Sequence, residues 1–571
     1  MEKINKLKKI IKQNGIDGYL IPKNDEYFGE YVSDNKDNLR FLTNFSGSFG
    51  YALIMKDKNF LFVDGRYTLQ AKIQCKKNFK ILTIPHQRPF SVLKKKKLKI
   101  GFDPKIHTDL SLKNFFKDTK CKLIPIRHNL INKIRVKNNK YENKKFFILS
   151  DNIAGFSVKN KVRKLRNYLK QNSADVQFIT ASENVAWLLN LRGKDCNFSP
   201  LPHSHLILDQ KNIFLFCDLR KISKNLKKNL NNVSFIDIKL LHNFLSRFRQ
   251  KKILIDISTC SYLFKYTLKR ENSLIEQIDP IYLLKSRKNA VEIRNSKIAH
   301  IYDGVALTKF IFWLKENYKK NQISELSAQD KLFRFRKKNK FFKNLSFPTI
   351  SSVGSNGAII HYKASPKTNK ILNEGNLYLV DSGGQYEFGT TDVTRTLSLN
   401  NKNEKIKKIY THVLKSHIAV ASYKISSKTC GADIDLEARK PLKKINLDYP
   451  HGTGHGVGYF LNVHEGPQAI SKGNKTKISA GMILSNEPGF YKNGNFGIRI
   501  ENLIFVEKNK GKKIFRNLTM APLERSLINK NFLTLKEKEW INNYHNKVYF
   551  TLRKFMNKKE TESLKSYCSN I

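Results

Sequence analysis

The chain has no stretch of about 18 consecutive apolar residues, the length a membrane-crossing helix requires, and this excludes a transmembrane protein. Its first residues, MEKINKLKKIIKQNG, break up their apolar residues with Lys and Gln and hold no continuous apolar region. A secretory signal needs a continuous apolar region, so the expectation is a cytoplasmic protein. Cysteine is sparse and scattered: Cys75, Cys121, Cys196, Cys217, Cys260, Cys430 and Cys568 form no CxxC pair. That excludes a disulfide framework and a structural zinc ribbon and reads as free thiols in a reducing compartment. There is no GxSxG and no cysteine beside the histidine-rich region, which removes the serine and cysteine hydrolases. Acidic residues are few as well. With 47 Asp+Glu against 106 Lys+Arg the formal charge is +59.

A balance this basic invites a nucleic-acid reading, because clustered Lys and Arg neutralise phosphates. The lysines, however, are spread along the whole length, and Lys, Asn, Ile and Phe are abundant together while Trp is scarce, the signature of AT-rich codons. The densest short run, Lys94–Lys97, reads as a surface turn, and no zinc-finger spacing, RNP-like aromatic box or basic tail accompanies it. The charge is therefore read as a solvated surface, with loose polyanion binding at low salt and no specific nucleic-acid partner.

What is present is enough for several cores. The 571 residues, 40% hydrophobic, suggest three or four domains. The first half repeats itself. Asn38–Gly47 (NLRFLTNFSG) aligns with Asn184–Gly193 (NVAWLLNLRG), and each follows a strand-like run, Gly18–Ile21 or Val176–Ile179. Each precedes another strand-like run ending in a charged turn, Leu61–Arg66 or Leu215–Arg220. Amphipathic helices open the copies at Ile4–Asn14 and Val158–Gln171, the second placing Val158, Val162, Leu165 and Leu169 on one face. Two tandem α/β domains follow, meeting in the Lys- and Asn-rich stretch around Lys133–Lys145, and neither contains a catalytic set.

From about Asn289 the texture changes. Helical periodicity over Val291–Asn317 leads into a Gly- and His-rich half. Strands are expected at Leu377–Asp381 and Thr391–Leu397, joined by a turn over Ser382–Gly389, and again at Met482–Asn486 and Phe496–Val506. A last helix, Leu535–Lys554 with Thr534 as its N-cap, precedes a polar tail.

Six of the fourteen histidines fall between His361 and His464. Beside them five groups stand where they can converge: Asp381, Asp392, His455, Glu487 and Glu501. A hairpin would put Asp381 and Asp392 at one end of a sheet. Alternation through Ile498–Glu501 sends Arg499 and Glu501 to one face and the isoleucines to a core. Glu487 precedes Pro488-Gly489, where a strand must stop. HGTGHGVG (His451–Gly458) is too glycine-rich for a helix and lets backbone pass close to a site; its spacing is not GxGxxG and no P-loop Lys follows. Singly, each of these residues is an ordinary turn or structural group. Together, four carboxylates and one imidazole form a hard, oxygen-dominated set suited to two divalent ions such as Mn²⁺ or Co²⁺.

The ordered motifs DSGGQYEFGTTDVTRT (Asp381–Thr396), HGTGHGVG, VHEGP (Val463–Pro467), NEPGFY (Asn486–Tyr491) and GIRIEN (Gly497–Asn502) resemble the pita-bread metallopeptidases. With FPTISSVGSNGAIIHY (Phe347–Tyr362), SPLPHSHLIL (Ser199–Leu208) and WINNYH (Trp540–His545), the chain is most similar to the three-domain aminopeptidase P (Xaa-Pro aminopeptidase) family over essentially its whole length.

The resemblance implies two tandem α/β creatinase-like N-terminal domains, 1–145 and 146–288, then a pita-bread catalytic domain with a C-terminal extension, 289–571. It implies two divalent ions, most simply Mn²⁺. Asp381 would chelate one, Asp392 and Glu501 would bridge, and His455 with Glu487 would complete the other. His464 would bind the scissile carbonyl, while His361, His451 and Arg499 would shape the substrate site. The reaction would be release of the residue preceding a penultimate proline, by attack of a metal-bridging hydroxide with Glu487 moving the proton. A homodimer is also implied, with peptides as the partners and no membrane. Prolidase activity confined to dipeptides, a non-catalytic interaction protein on the same scaffold, and a nucleic-acid binder are the alternatives.

Overall fold

A computed structural model describes residues 2–75, 78–94, 96–135 and 144–571. Most of the expected junction at Lys133–Lys145, and part of the Lys94–Lys97 run, lie outside the described residues. The chain forms two units, one of residues 1–151 and 156–282, the other of residues 152–155 and 283–571.

In the first unit the repeat becomes two six-stranded sheets of the same design. The first runs in the order Lys80–Ile84, Asn59–Asp64, Tyr51–Met55, Gly18–Pro22, Lys99–Phe102, Lys122–Pro125. The second runs Ser234–Asp237, Ile213–Cys217, Ser204–Asp209, Val176–Ile179, Lys252–Asp256, Ser273–Gln277. In both, the middle strands pair antiparallel and the outer ones parallel. The aligned motifs become the short helices Asn38–Thr43 and Ser182–Leu188. Each is followed by an asparagine in the left-handed region, Asn44 at φ 63° and Asn190 at φ 50°. Asparagine tolerates that conformation better than most side chains, which explains why the two copies share it. The helix Val158–Gln171 forms as the periodicity dictates, capped by Ser157 and buried through Val162, Leu165 and Leu169.

The second unit is also built twice. The helices Ala290–Asn317 and Glu325–Lys337 belong with the antiparallel sheet Ile350–Val353, Leu377–Ser382, Val393–Ser398. The helices Glu404–Ala421 and Gly431–Lys443 belong with the sheet Ile483–Asn486, Asn502–Asn509, Lys512–Asn517. One apolar cluster binds the helix Glu404–Ala421 (Tyr410, Leu414), Ile498 and the C-terminal helices (Val548, Leu552, Leu564) together.

Three expectations need correction. The expected strand Phe496–Val506 is two strands in different sheets, Phe496–Arg499 paired with Gly489–Lys492 and Asn502–Asn509 paired with Ile483–Asn486. The backbone leaves one sheet for the other at Ile500–Glu501, where the Glu501 amide donates to Thr394 O at 3.2 Å. Burial on both sides follows: Arg499 and Glu501 are as covered as Ile498 and Ile500. The turn over Ser382–Gly389 contains a strand of its own, Gly384–Tyr386, paired with Phe342–Leu345 and Gly389–Thr390. The tail is a further helix, Lys558–Tyr567, capped by Asn557 with Glu560 and anchored by buried Leu564. The preceding helix begins on Thr534 as expected, with Glu537 completing a capping box, and its α-helical part ends at Leu552.

Candidate metal centre

The two halves of the second unit deliver their acids in the same way. Asp381 lies in the strand Leu377–Ser382 opposite Thr394, and Asp392 immediately precedes the paired strand Val393–Ser398. Glu487 immediately follows the strand Ile483–Asn486, and Glu501 precedes the paired strand at Asn502, which faces Asn486. Each antiparallel pair thus carries two carboxylates at one end. Imidazoles come from a segment inside the second half, between the helix Gly431–Lys443 and the strand Ile483–Asn486: His455 ends the two-residue strand Gly454–His455, and His464 sits in the loop before its partner Ala469–Ile470.

Three groups of donor atoms form, each within 4.8 Å of one another: Asp381, Asp392 and Glu501; His455, Glu487 and Glu501; Asp392, His455 and His464. All five expected ligands therefore come together, with Asp392, His455 and Glu501 each common to two groups, and His464 stands beside them. Its ring is edge-on to His455, with centroids 4.4 Å apart. His455 donates from Nδ1 to Gly456 O at 2.9 Å, which leaves Nε2 facing Asp392 Oδ2 at 3.4 Å and Glu487 Oε1 at 3.5 Å. A ring held in this tautomer presents its lone pair to whatever the carboxylates hold. Asp381, Asp392 and Glu501 are buried, whereas His451, His455, His464, Glu487 and Tyr491 are half-buried. Three of the acids form a buried floor, and the imidazoles with Glu487 and Tyr491 a half-buried wall.

Electrostatics make the same point. Burial, and then Asp381 and Glu487, push Asp392 well above the usual carboxylate range. Burial, followed by Asp392, Glu487 and Asp381, does the same to Glu501. Like charges this close resist joint ionisation unless cations intervene. Asp381 Oδ1 and Asp392 Oδ1 are buried without a hydrogen-bond partner, and unsatisfied buried acceptors are rare and costly. The donor chemistry, the orphaned oxygens and the fixed imidazole tautomer all fit a pair of hard divalent cations.

Arg499 supplies a guanidinium beside the acids. It donates from Nη2 to Asp381 Oδ2 at 2.7 Å, from Nη1 to Tyr491 Oη at 2.7 Å and from Nε to Thr394 Oγ1 at 3.1 Å. Burial opposes its charge, but Tyr491, Asp381 and Glu487 raise it well above the usual guanidinium value. His451 donates from Nδ1 to Gly452 O at 2.7 Å and meets Tyr491 Oη through Nε2 at 2.9 Å. His451 is thus linked to the acids through Tyr491 and Arg499. His361 is half-buried between Ile360 and Tyr362, and it belongs to none of the three donor groups.

The sequence reading left three contributors without a role. Tyr491 carries the link just described. Thr394 donates to Glu501 Oε2 at 2.8 Å. Arg395, fully buried, donates to the carbonyls of Thr394, Glu501, Ala521 and Pro522 and ties the two sheets to the C-terminal region. Both Thr394 and Arg395 lie in a segment where every residue from Thr390 to Ser398 is buried. A Thr-Arg-Thr run between apolar strand residues was the available signal, because a buried Arg must find several acceptors.

Comparison with known proteins agrees. The profile of "Metallopeptidase family M24" matches residues 294–508, and the "C-terminal region of peptidase_M24" matches 514–571. Two profiles of the "Creatinase/Prolidase N-terminal domain" match 3–137 and 135–292. The chain is 38% identical to "Xaa-Pro aminopeptidase 1" of Dictyostelium discoideum, over 96% of this chain and 92% of the relative. It is 34% identical to "Aminopeptidase P1" of Lotus japonicus, over 93% of each. Among solved structures, an X-prolyl aminopeptidase from Caenorhabditis elegans, described as a cytosolic enzyme with a di-nuclear active site, superposes with TM-score 0.93 at 29% identity. That match covers 100% of this chain and 99% of the other. A prolidase from Thermococcus sibiricus superposes with TM-score 0.53 at 25% identity and covers 65% of this chain. With the duplicated acids, the imidazole wall and both N-terminal sheets accounted for, the chain belongs to the three-domain aminopeptidase P family of M24 metallopeptidases.

Proposed function

We propose that the protein is a Xaa-Pro aminopeptidase that releases the first residue from peptides with proline in second position, using two divalent ions, most simply Mn²⁺. The observation that carries this reading is the convergence of Asp381, Asp392, Glu487 and Glu501 from two sheets around His455, with His464 at the rim. When bound, the ion pair supplies water activation at neutral pH and polarisation of the scissile carbonyl.

The chain's own residues do the rest. Asp381, Asp392, His455, Glu487 and Glu501 are the proposed ligands, Asp392 and Glu501 being shared. A prolyl amide has no N–H and its nitrogen must be protonated as it leaves. Glu487, half-buried and accepting from Ser485 Oγ at 3.0 Å, is the proposed group that takes the proton of the attacking water and returns it to that nitrogen. His464 donates to the carbonyl oxygen as negative charge develops there, an interaction that strengthens in the transition state. His361, His451 and Arg499 are the proposed substrate-side residues. Arg499 acts through Tyr491 and Asp381 by holding them in place. The division at 1–145, 146–288 and 289–571, a homodimer and a cytoplasmic location complete the proposal. The last rests on the cytosolic relative.

The test is hydrolysis of Arg-Pro-Pro, Arg-Ala-Ala and the dipeptide Ala-Pro, after chelation and after Mn²⁺ is restored. Release of Arg from Arg-Pro-Pro alone, lost on chelation and regained with Mn²⁺, is the expected result. Cleavage confined to Ala-Pro would make the protein a prolidase, and no cleavage by the metal-loaded protein would remove the enzymatic reading.

A further inference from the structure

Next to the metal centre lies a charged cluster that the reaction does not use. Glu465 follows His464, and its carboxylate is 1% exposed. Lys285 Nζ stands 2.9 Å from Glu465 Oε2 and Lys288 Nζ 3.6 Å from Oε1, their side chains 0% and 1% exposed. Lys288 Nζ also donates to Val457 O at 2.6 Å. Two buried cations on one buried carboxylate are expensive to desolvate, and apolar residues of the same volume are commonly as stable. Stability is a weak reason for such a cluster.

Its geometry supplies a better one. The loop 456–468 leaves His455 and returns to the strand Ala469–Ile470, carrying His464 on the way. The Glu465 amide donates to Gly456 O at 2.8 Å, so the residue after His464 is pinned to the residue after His455. The loop is packed around this pin. A Cβ on Gly456 would sit 2.1 Å from Glu465 O, and one on Gly458 would sit 2.7 Å from Glu465 Oε2. Two glycines of HGTGHGVG therefore have no room for a side chain, Gly456 against the Glu465 backbone and Gln468, and Gly458 against Asn462 O and the Glu465 carboxylate. The lysines are held from outside the loop: Lys285 by the short helix Ile281–Ser286, Lys288 by its amide donating to Gly481 O at 3.0 Å.

We propose that Glu465, gripped by Lys285 and Lys288, is a positioning residue that sets the register between His455 and His464. The carboxylate clamps the His464 side of the loop, and the Lys288 bond to Val457 O clamps the His455 side. Neither lysine nor Glu465 touches substrate. Displacing a reacting group by about 1 Å costs on the order of 10²-fold in rate, and the clamp prevents such a displacement. This inference rests on the aminopeptidase reading.

The test compares wild type with Glu465→Gln and with the charge-free triple variant Lys285→Met, Lys288→Met, Glu465→Leu. The triple variant keeps volume and removes all three charges of the cluster, leaving Glu292 to the Asn289 amide that it already accepts from, so it is expected to fold even where Glu465→Gln, which strands two cations, does not. For Arg-Pro-Pro the triple variant should retain two bound ions and a KM close to wild type while kcat falls roughly 10- to 100-fold. A kcat equal to wild type in the folded, metal-loaded triple variant would overturn the proposal. The visible spectrum of the Co²⁺-loaded proteins is read in parallel and needs no turnover. The proposal expects an altered band in the triple variant as His455 shifts, and a spectrum identical to wild type would overturn it. If wild type itself proved inactive, the aminopeptidase reading alone would fail and the cobalt spectrum would still decide this inference.

Discussion

The two units bury acids in opposite ways. In the first, Asp279 is buried with both oxygens supplied by donors, Gln177 Nε2 at 2.9 Å, the Ile281 amide at 2.8 Å and Asn184 Nδ2 at 2.8 Å, and with one other buried acid, Asp256, close enough to act on it. Burial pushes it up to about 7, and those hydrogen bonds moderate the shift. In the second, Asp381, Asp392, Glu487 and Glu501 crowd together, and two of their oxygens find no donor. A buried acid whose oxygens all find donors is satisfied by amides or by a proton, and it reads as structure. Four that face one another leave a demand that only cations meet, and they read as a metal centre.

The comparison breaks most severely if a shared ligand can be removed without consequence. Asp392→Asn or Glu501→Gln should lower kcat/KM on Arg-Pro-Pro by on the order of 10³-fold or more, since several kcal/mol of charge stabilisation goes with the ions. Metal analysis of the same samples should show loss of bound ion. His464→Ala separates the wall from the floor. Its kcat should fall on the order of 10²–10³-fold while both ions stay bound, the size expected for one oxyanion donor. Undiminished turnover in that variant would strip His464 of its role.

The smallest effect belongs to the first unit. Because the folded state holds the proton of Asp279 up to about pH 7 and an unfolded Asp releases it near 4, the native state loses stability as pH rises between those values. Asp279→Asn removes this titration. The new amide can keep its oxygen on the Ile281 amide and Gln177 Nε2 and give its NH2 to Asn184 Oδ1, which lacks a partner, once the Asn184 side chain flips. The variant should gain about 1–2 kcal/mol over wild type at pH 8 and little at pH 4, read from urea unfolding. An equal difference at both pH values would show that Asp279 is ionised in the fold. Activity should not change.

Much of this was legible in the sequence, for physical reasons that differ by residue. The repeat was visible because helix caps, left-handed asparagines and apolar alternation are local properties, and Asn44 and Asn190 mark the same bend twice. The convergent acids were visible as a set because acids at strand ends, Glu487 beside Pro488 among them, stand out from a basic background. The break at Ile500–Glu501 was not visible, since an alternating strand continues smoothly in sequence while the backbone changes sheets. Nor was the role of Glu465, whose partners Lys285 and Lys288 lie far away in the chain and look like any other lysines in a chain of charge +59.

The most direct test of the account is a count of bound metal in the wild-type protein, by elemental analysis after chelation, reloading with Mn²⁺ and removal of excess. Two halves that each contribute two carboxylates should hold two ions per chain, and activity should rise with occupancy. Full activity with one ion per chain or none would contradict the claim that the crowded acids exist to hold a pair.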